Sequence, residues 1–287
     1  MLRLLFVHLP LALGVATPCP HANATGDTLT SGTYCTPGVA VCRVNALCSE
    51  VWRSVSPLTT KIAGLASIGN LSSYEGTKLL VQNCSSGFRL EQTTLALPPS
   101  LTVFGLENCP MQAQMPSVSW PLSLTELYLS NGSLTAIPKG LPLSVEEFWM
   151  DGNQIADLID APLATKILSV ERNQLRVLKD VDLTQTQKAY FGGNPLTVLS
   201  HVHFSKSLQL FKCNGCNFVL FIVDTKSFQA LDALPEFDPD TQLGLLVDSI
   251  KSDAAYCANT VKGTIKMLHA KYPVCVSGAS FGDGLVT

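Results

Sequence analysis

Leu124-Thr125-Glu126-Leu127-Tyr128-Leu129-Ser130-Asn131-Gly132-Ser133-Leu134 decides the reading of this chain, because its phrase, L-x-x-L-x-L-x-x-N-x-L, recurs on both sides. Before it, Leu101, Phe104, Leu106, Cys109 and Met111 fill the same five slots. After it come Val145, Phe148, Met150, Asn153 and Ile155, then Thr165, Leu168, Val170, Asn173 and Leu175, then Thr186, Ala189, Phe191, Asn194 and Leu196. The Asn-slot residues Cys109, Gly132, Asn153, Asn173 and Asn194 follow one another at 23, 21, 20 and 21 residues. A ragged copy lies at each end: Gly76, Leu79, Val81 and Cys84 before, and Leu208, Leu210 and Cys213 after, which puts Cys213 in the Asn slot only 19 residues past Asn194.

In each L-x-L the alternating apolar residues face one side of a short strand, so every copy leaves an apolar edge that only a neighbouring copy covers. A solenoid follows. An Asn in the turn after the strand bonds backbone groups that the bend would otherwise leave unpaired, and a Cys fills the slot as a small buried side chain. The linkers Leu97-Pro98-Pro99-Ser100 and Ala136-Ile137-Pro138-Lys139-Gly140-Leu141-Pro142 are too short and proline-rich for a full helix. The period and the Asn-or-Cys slot resemble the leucine-rich repeat family. That resemblance implies an α/β-type solenoid with a curved parallel β-sheet on its concave face and short extended or one-turn segments on its convex face.

Arg3 and the apolar stretch Leu4 to Ala16, ending in Gly14-Val15-Ala16, predict a signal peptide over residues 1–16 and a secreted, extracellular chain. Sequons at Asn23, Asn70, Asn83 and Asn131 mark candidate glycosylation sites that fit export. A net charge of −3 and a pI near 5.9 argue against a nucleic-acid partner. The most apolar later run, Phe218 to Val223, is too short to span a bilayer.

The ten cysteines are disulfide candidates. Cys19, Cys35, Cys42 and Cys48 cluster before the repeats, and Cys213, Cys216, Cys257 and Cys275 at their end, where a solenoid core needs stapled caps. Cys84 and Cys109 share the Asn slot of neighbouring copies, about 5 Å apart by the strand spacing, close enough either to bond or to stack as thiols. The expected organisation is a Cys-rich N-terminal cap over 17–75, repeats over 76–217, a partly helical C-terminal cap over 218–277 and a flexible tail over 278–287. Within that C-terminal cap, helical spacing marks Ser227 to Leu234 and Thr241 to Ala258, with Asp240 as an N-cap, and Cys257 with Cys275 is a plausible staple. These features together resemble the extracellular part of leucine-rich-repeat receptor-like kinases of the tyrosine-kinase-like group, without their membrane span and kinase signatures.

Catalytic motifs do not assemble. Gly278-Ala279-Ser280-Phe281-Gly282 matches a nucleophile elbow but has no His after it. His201 and His203 with Cys213 and Cys216 have zinc-like residue types, but disulfide pairing is the better reading of those cysteines. No enzyme activity, metal or cofactor is expected. Function is expected on the concave face, where one outward column reads Gly105, Tyr128, Trp149, Ser169, Tyr190, flanked by Glu107, Glu126, Glu147, Asp151 and Glu171. Exposed aromatics are frequent binding anchors, and an acidic flank favours a basic partner. A glycan on Asn131 would stand beside Tyr128. The expected role is a recognition module for a protein, peptide or glycan ligand. Alternatives are the ectodomain fragment of a signalling receptor kinase, or a structural cell-wall or matrix protein in which the acids only confer solubility and the aromatics only pack on one another.

Overall fold

The computed structural model describes residues 19–22, 24–90, 95–111, 115 and 118–278; the expected signal segment, Asn23 and the tail from 279 onward lie outside them. In all five full copies every one of the five slots is buried, from Leu101 to Leu196. One continuous apolar cluster runs from Leu29 to Val276. The strands that carry the L-x-L pairs stack into a nine-stranded sheet in which every neighbouring pair is parallel. In spatial order it runs Ile62–Ala63, Lys78–Gln82, Val103–Glu107, Glu126–Ser130, Glu147–Trp149, Ile167–Ser169, Lys188–Tyr190, Leu210–Phe218 and Gly244–Ile250. The chain is a parallel-strand solenoid.

The first eight coils leave their strands in the same way. The residue just before the Asn slot is left-handed in Gly64 (φ 74°), Asn83, Asn108, Asn131, Gly152, Arg172 (φ 52°), Gly193 and Gly215 (φ 86°). Gly and Asn adopt this conformation readily, whereas an arginine there costs about 1–2 kcal/mol. The turn then needs backbone partners, and the Asn column supplies them. Asn153 Oδ1 accepts from the Gly132 and Leu134 amides at 3.0 and 3.1 Å, and its Nδ2 donates to Leu129 O and Met150 O. Asn173 and Asn194 do the same for the Ile155 and Leu175 amides.

On the opposite side, the coils over 121–165 keep single turns, with the Leu124, Val145 and Thr165 amides donating to Pro121, Pro142 and Pro162 carbonyls. Elsewhere the expected extended segments pair into further sheets. Val177–Lys179, Val198–Ser200, Leu220–Asp224 and Tyr272–Ser277 run parallel, with Gly263–Leu268 antiparallel at the edge. Before the repeats, Glu50–Ser54, Val41–Val44 and Thr28–Thr30 form an antiparallel set that continues, parallel, into Ser67–Ile68 and Arg89–Leu90. No helix among the described residues is long and apolar enough to cross a membrane.

The cysteines pair as Cys19–Cys48, Cys35–Cys42, Cys84–Cys109, Cys213–Cys216 and Cys257–Cys275. Cys84 and Cys109 are bonded across adjacent coils, with their Cα atoms 4.7 Å apart.

Two sequence expectations are corrected. Ala189 pairs with Phe211 and Tyr190 with Lys212, so the last copy reads Leu208, Phe211, Cys213, Cys216 and Phe218, with Cys216 rather than Cys213 in the Asn slot. Leu208, Leu210 and Cys213 match the same spacing three residues earlier, and that competing pattern hides the register. The stretch Thr241 to Ala258 is not one helix: Gly244–Ile250 is a strand that buries Leu245 and Val247 and adds a coil to the solenoid, followed by a short turn at Ala254–Tyr256 and a π-helical turn at Cys257–Val261. Gly244 (φ 108°), whose Cβ would meet Glu236 O at 2.6 Å, interrupts the helical spacing. Asp240 therefore caps no helix. The helix expected at Ser227 to Leu234 is Thr225–Asp232, capped by the Asp224 side chain, which accepts from the Ser227 amide.

Candidate functional site

Strand pairing places Leu80, Gly105, Tyr128, Trp149, Ser169, Tyr190 and Lys212 in one column on the outward face of the nine-stranded sheet. Their outward direction follows from alternation, since their neighbours in each strand fill the core. Tyr128 and Trp149 stack at 16° with centroids 6.1 Å apart. Trp149 meets Tyr190 at 5.7 Å across Ser169, whose small side chain is buried beneath them. The three aromatics are half-buried rather than freely exposed.

The row ends differently on its two sides. Lys212 closes it after Tyr190: its Nζ lies 5.7 Å from that ring and 3.1 Å from Glu171 Oε1. Before Tyr128 the column loses its side chain at Gly105, and a hollow of about 280 Å³ opens there. Leu80, Val103, Tyr128 and Trp149 line it, with Lys61, Lys78, Glu107 and Glu126 around it. Lys61 forms an ion pair with Glu107.

The acidic flank divides into two groups. Asp151 is structural: its Oδ1 accepts from Ser169 Oγ at 2.7 Å and from the Glu171 amide at 2.8 Å. Burial raises its pKa above the usual carboxylate value despite those bonds. Glu171 is occupied by Lys212. Glu126 and Glu147, in contrast, converge on Tyr128, whose hydroxyl lies 2.9 Å from Glu126 Oε2 and 3.3 Å from Glu147 Oε2. Trp149 Nε1 donates to the same Glu147 oxygen at 3.4 Å. Burial first, and then the two carboxylates, push the Tyr128 phenol far above the usual tyrosine range; burial with Glu171 and Asp151 raises Tyr190 as well. Both phenols thus remain protonated donors at physiological pH.

The other expected sites lie elsewhere. Asn70, Asn83 and Asn131 are exposed. Asn131 Nδ2 donates to Asn108 Oδ1, and Asn108 Nδ2 to Asn83 Oδ1, a polar ladder beside the strand ends. His201 and His203 face Asp180 and Asp224, each at 3.0 Å, while Cys213 and Cys216 are bonded to each other. Among the described residues no group of three or more His, Cys, Asp or Glu side chains is arranged to hold a metal ion. The sequence reading includes Gly105 but misses Lys61, Lys78, Leu80 and Lys212. Carrying the outward column into the ragged first copy would have found Lys78 and Leu80, one further copy upstream Lys61, and placing the last copy three residues later Lys212.

No protein-family model matches the chain, and no curated protein or solved structure matches it either.

Proposed function

We propose that this chain is a secreted leucine-rich-repeat recognition module that binds a protein, peptide or glycan ligand through the outward face of its nine-stranded sheet. The observation that carries this reading is the aromatic row Tyr128, Trp149, Tyr190, which opens at one end into the hollow over Gly105. Half-buried aromatics beside a concavity are the usual anchors of recognition surfaces, because they bury a large contact area with few side-chain rotations to freeze. The 20–23-residue period and the Asn column support the repeat family. The five disulfides support an oxidising, extracellular setting. The test is a binding screen of the glycosylated secreted chain against peptide and glycan libraries, repeated with a Trp149→Ala/Tyr190→Ala variant whose folding is verified. Loss of a ligand in the variant supports the recognition face. A ligand indifferent to the change, or no ligand, favours a scaffold or a receptor fragment that binds elsewhere.

A further inference from the structure

A second hollow, of about 480 Å³, lies where the chain passes from the sheet that holds Val198–Ser200 and Leu220–Asp224 back to the nine-stranded one. In two earlier coils this passage is a single turn, closed by the Thr186 amide donating to Leu183 O and the Leu208 amide donating to Ser205 O. In the next coil the helix Thr225–Asp232 takes the place of the turn, and the hollow opens between the two. Lys226, Gln229, Ala230 and Ala233, at helical spacing, form one wall. Ser205, Lys206 and Leu208 form the other, together with Phe204 and, from the preceding coil, Thr184. The walls are tied in place. The Phe204 amide donates to Ser227 Oγ on the helix at 2.9 Å, Ser205 Oγ donates to Thr184 O at 2.6 Å, and the Phe204 ring meets Phe211 edge-on at 5.5 Å.

Its charge has one sign. Lys206 and Lys226 are exposed, one from each wall, and neither has an ion-pair or hydrogen-bond partner among the described residues. The carboxylates carried by the same segments turn to other groups: Asp182 accepts from the Thr184 amide, Asp224 from the Ser227 amide while it faces His203, and Asp232 from the His269 amide. Among the described residues no Asp or Glu lines the hollow. Phe204, Leu208 and Ala230 belong to the buried apolar cluster, and the surface they leave open makes the lining mostly apolar. Two unpaired ammoniums attract an anion and repel a cation, while the lining favours an apolar body. An inorganic anion would leave that lining wet, and the acidic side chain of a partner protein brings only one or two methylenes to cover it. The volume falls in the range of pockets that take a whole small molecule, about 300–1,000 Å³.

We infer that the hollow between the helix Thr225–Asp232 and the turn at 204–208 binds a small amphipathic anion, an apolar body with one compact anionic head, as in an arylalkyl or short fatty acid. It shares no residue with the aromatic row and stands independently of the proposed recognition face.

The test uses three probes on the full secreted chain, labelled with ¹³C on its alanine methyls: 4-phenylbutyrate, the neutral 4-phenylbutanol, and acetate. 4-Phenylbutyrate should shift the Ala230 and Ala233 methyl signals saturably. The alcohol should bind about fivefold weaker, the scale of two solvent-screened ion pairs, and acetate, without the apolar body, about fiftyfold weaker or more. Lys206→Gln/Lys226→Gln should bring 4-phenylbutyrate down to the level of the alcohol. Ala233→Phe, which fills the hollow from the exposed helix end, should abolish the Ala230 response while the other alanine signals stay in place. Trp149→Ala/Tyr190→Ala should leave binding unchanged. Equal binding of acid and alcohol, acetate binding as tightly as 4-phenylbutyrate, or no shift from any probe overturns the inference. A 4-phenylbutyrate response lost in the aromatic-row variant also overturns it, since the acid would then sit on the recognition face.

Discussion

Alanine at Asn153 should cost more than alanine at Asn173, although both residues fill the same buried slot one coil apart. Gly132 leaves the preceding slot without a side chain, so Asn153 Oδ1 serves two amides, Gly132 and Leu134. Asn173 Oδ1 serves Ile155 alone. Their Nδ2 groups each reach two buried carbonyls of comparable kind, Leu129 and Met150 for Asn153, Met150 and Val170 for Asn173. An orphaned buried N–H costs about 1–3 kcal/mol and a lost hydrogen bond about 0.5–1.5 kcal/mol. Mid-range values give about 4 kcal/mol for Asn173→Ala and about 6 kcal/mol for Asn153→Ala, a difference of about 2 kcal/mol from the one additional amide. Gln174→Ala, on the exposed neighbour, should stay within about 0.5 kcal/mol of the parent. Urea unfolding with the disulfides intact, followed by both tryptophan fluorescence and far-ultraviolet circular dichroism to verify a single transition, measures all three. An Asn153→Ala variant no less stable than Asn173→Ala, or either one within about 0.5 kcal/mol of the parent, would refute the assignment of turn amides to this column.

Three further outcomes are expected. Asp151 has a raised folded-state pKa, so its ionisation costs stability at neutral pH and acidification toward the usual carboxylate value relieves that cost; Asp151→Asn, which keeps an acceptor for Ser169 and the Glu171 amide, should hold or raise Tm at pH 7 and remove that relief from a Tm-against-pH series taken down to the usual carboxylate range. Asp224 behaves oppositely: burial opposes its ionisation, but the Ser227 amide, His203 and the Ser227 hydroxyl outweigh burial and lower its pKa. Its stabilisation is present at neutral pH and lost as pH falls through and below the usual carboxylate range, and Asp224→Asn should remove that part of the acid slope in a Tm-against-pH series. Cys84→Ala/Cys109→Ala opens a bridge spanning 25 residues and should lower stability by about 2–4 kcal/mol, while non-reducing peptide mapping of the parent should recover the Cys84–Cys109 pair.

The sequence makes the solenoid legible because its core obeys one rule. Apolar residues two apart face inward wherever a neighbouring coil can cover them, and the five slots of all five full copies are buried. The outward column follows from the same alternation, so the repeat pattern alone sets Tyr128, Trp149 and Tyr190 in one row. Two kinds of information lay outside that rule. At the ends more than one register fits: Leu208, Leu210 and Cys213 also match the L-x-L-x-x-C spacing three residues before the true slots, and Leu245 and Val247 lie in a stretch whose spacing also suits a helix. Register there is settled by pairing with the preceding coil, which local pattern does not report. Within the site, Glu126, Glu147, Asp151 and Glu171 look alike in sequence but have different partners: Tyr128 for the first two, the Ser169 hydroxyl for Asp151 and the Lys212 ammonium for Glu171.

The most direct test of the central claim compares affinities for whichever ligand the library screen returns. Trp149→Ala/Tyr190→Ala alters the outward face of the nine-stranded sheet, and Val177→Ala/Val219→Ala alters exposed positions elsewhere on the coils. A recognition face at the aromatic row predicts a loss of about tenfold or more in the first variant, the scale of a truncated anchor, and an unchanged Kd in the second. Equal affinities in both variants, or a loss confined to the valine pair, would contradict it.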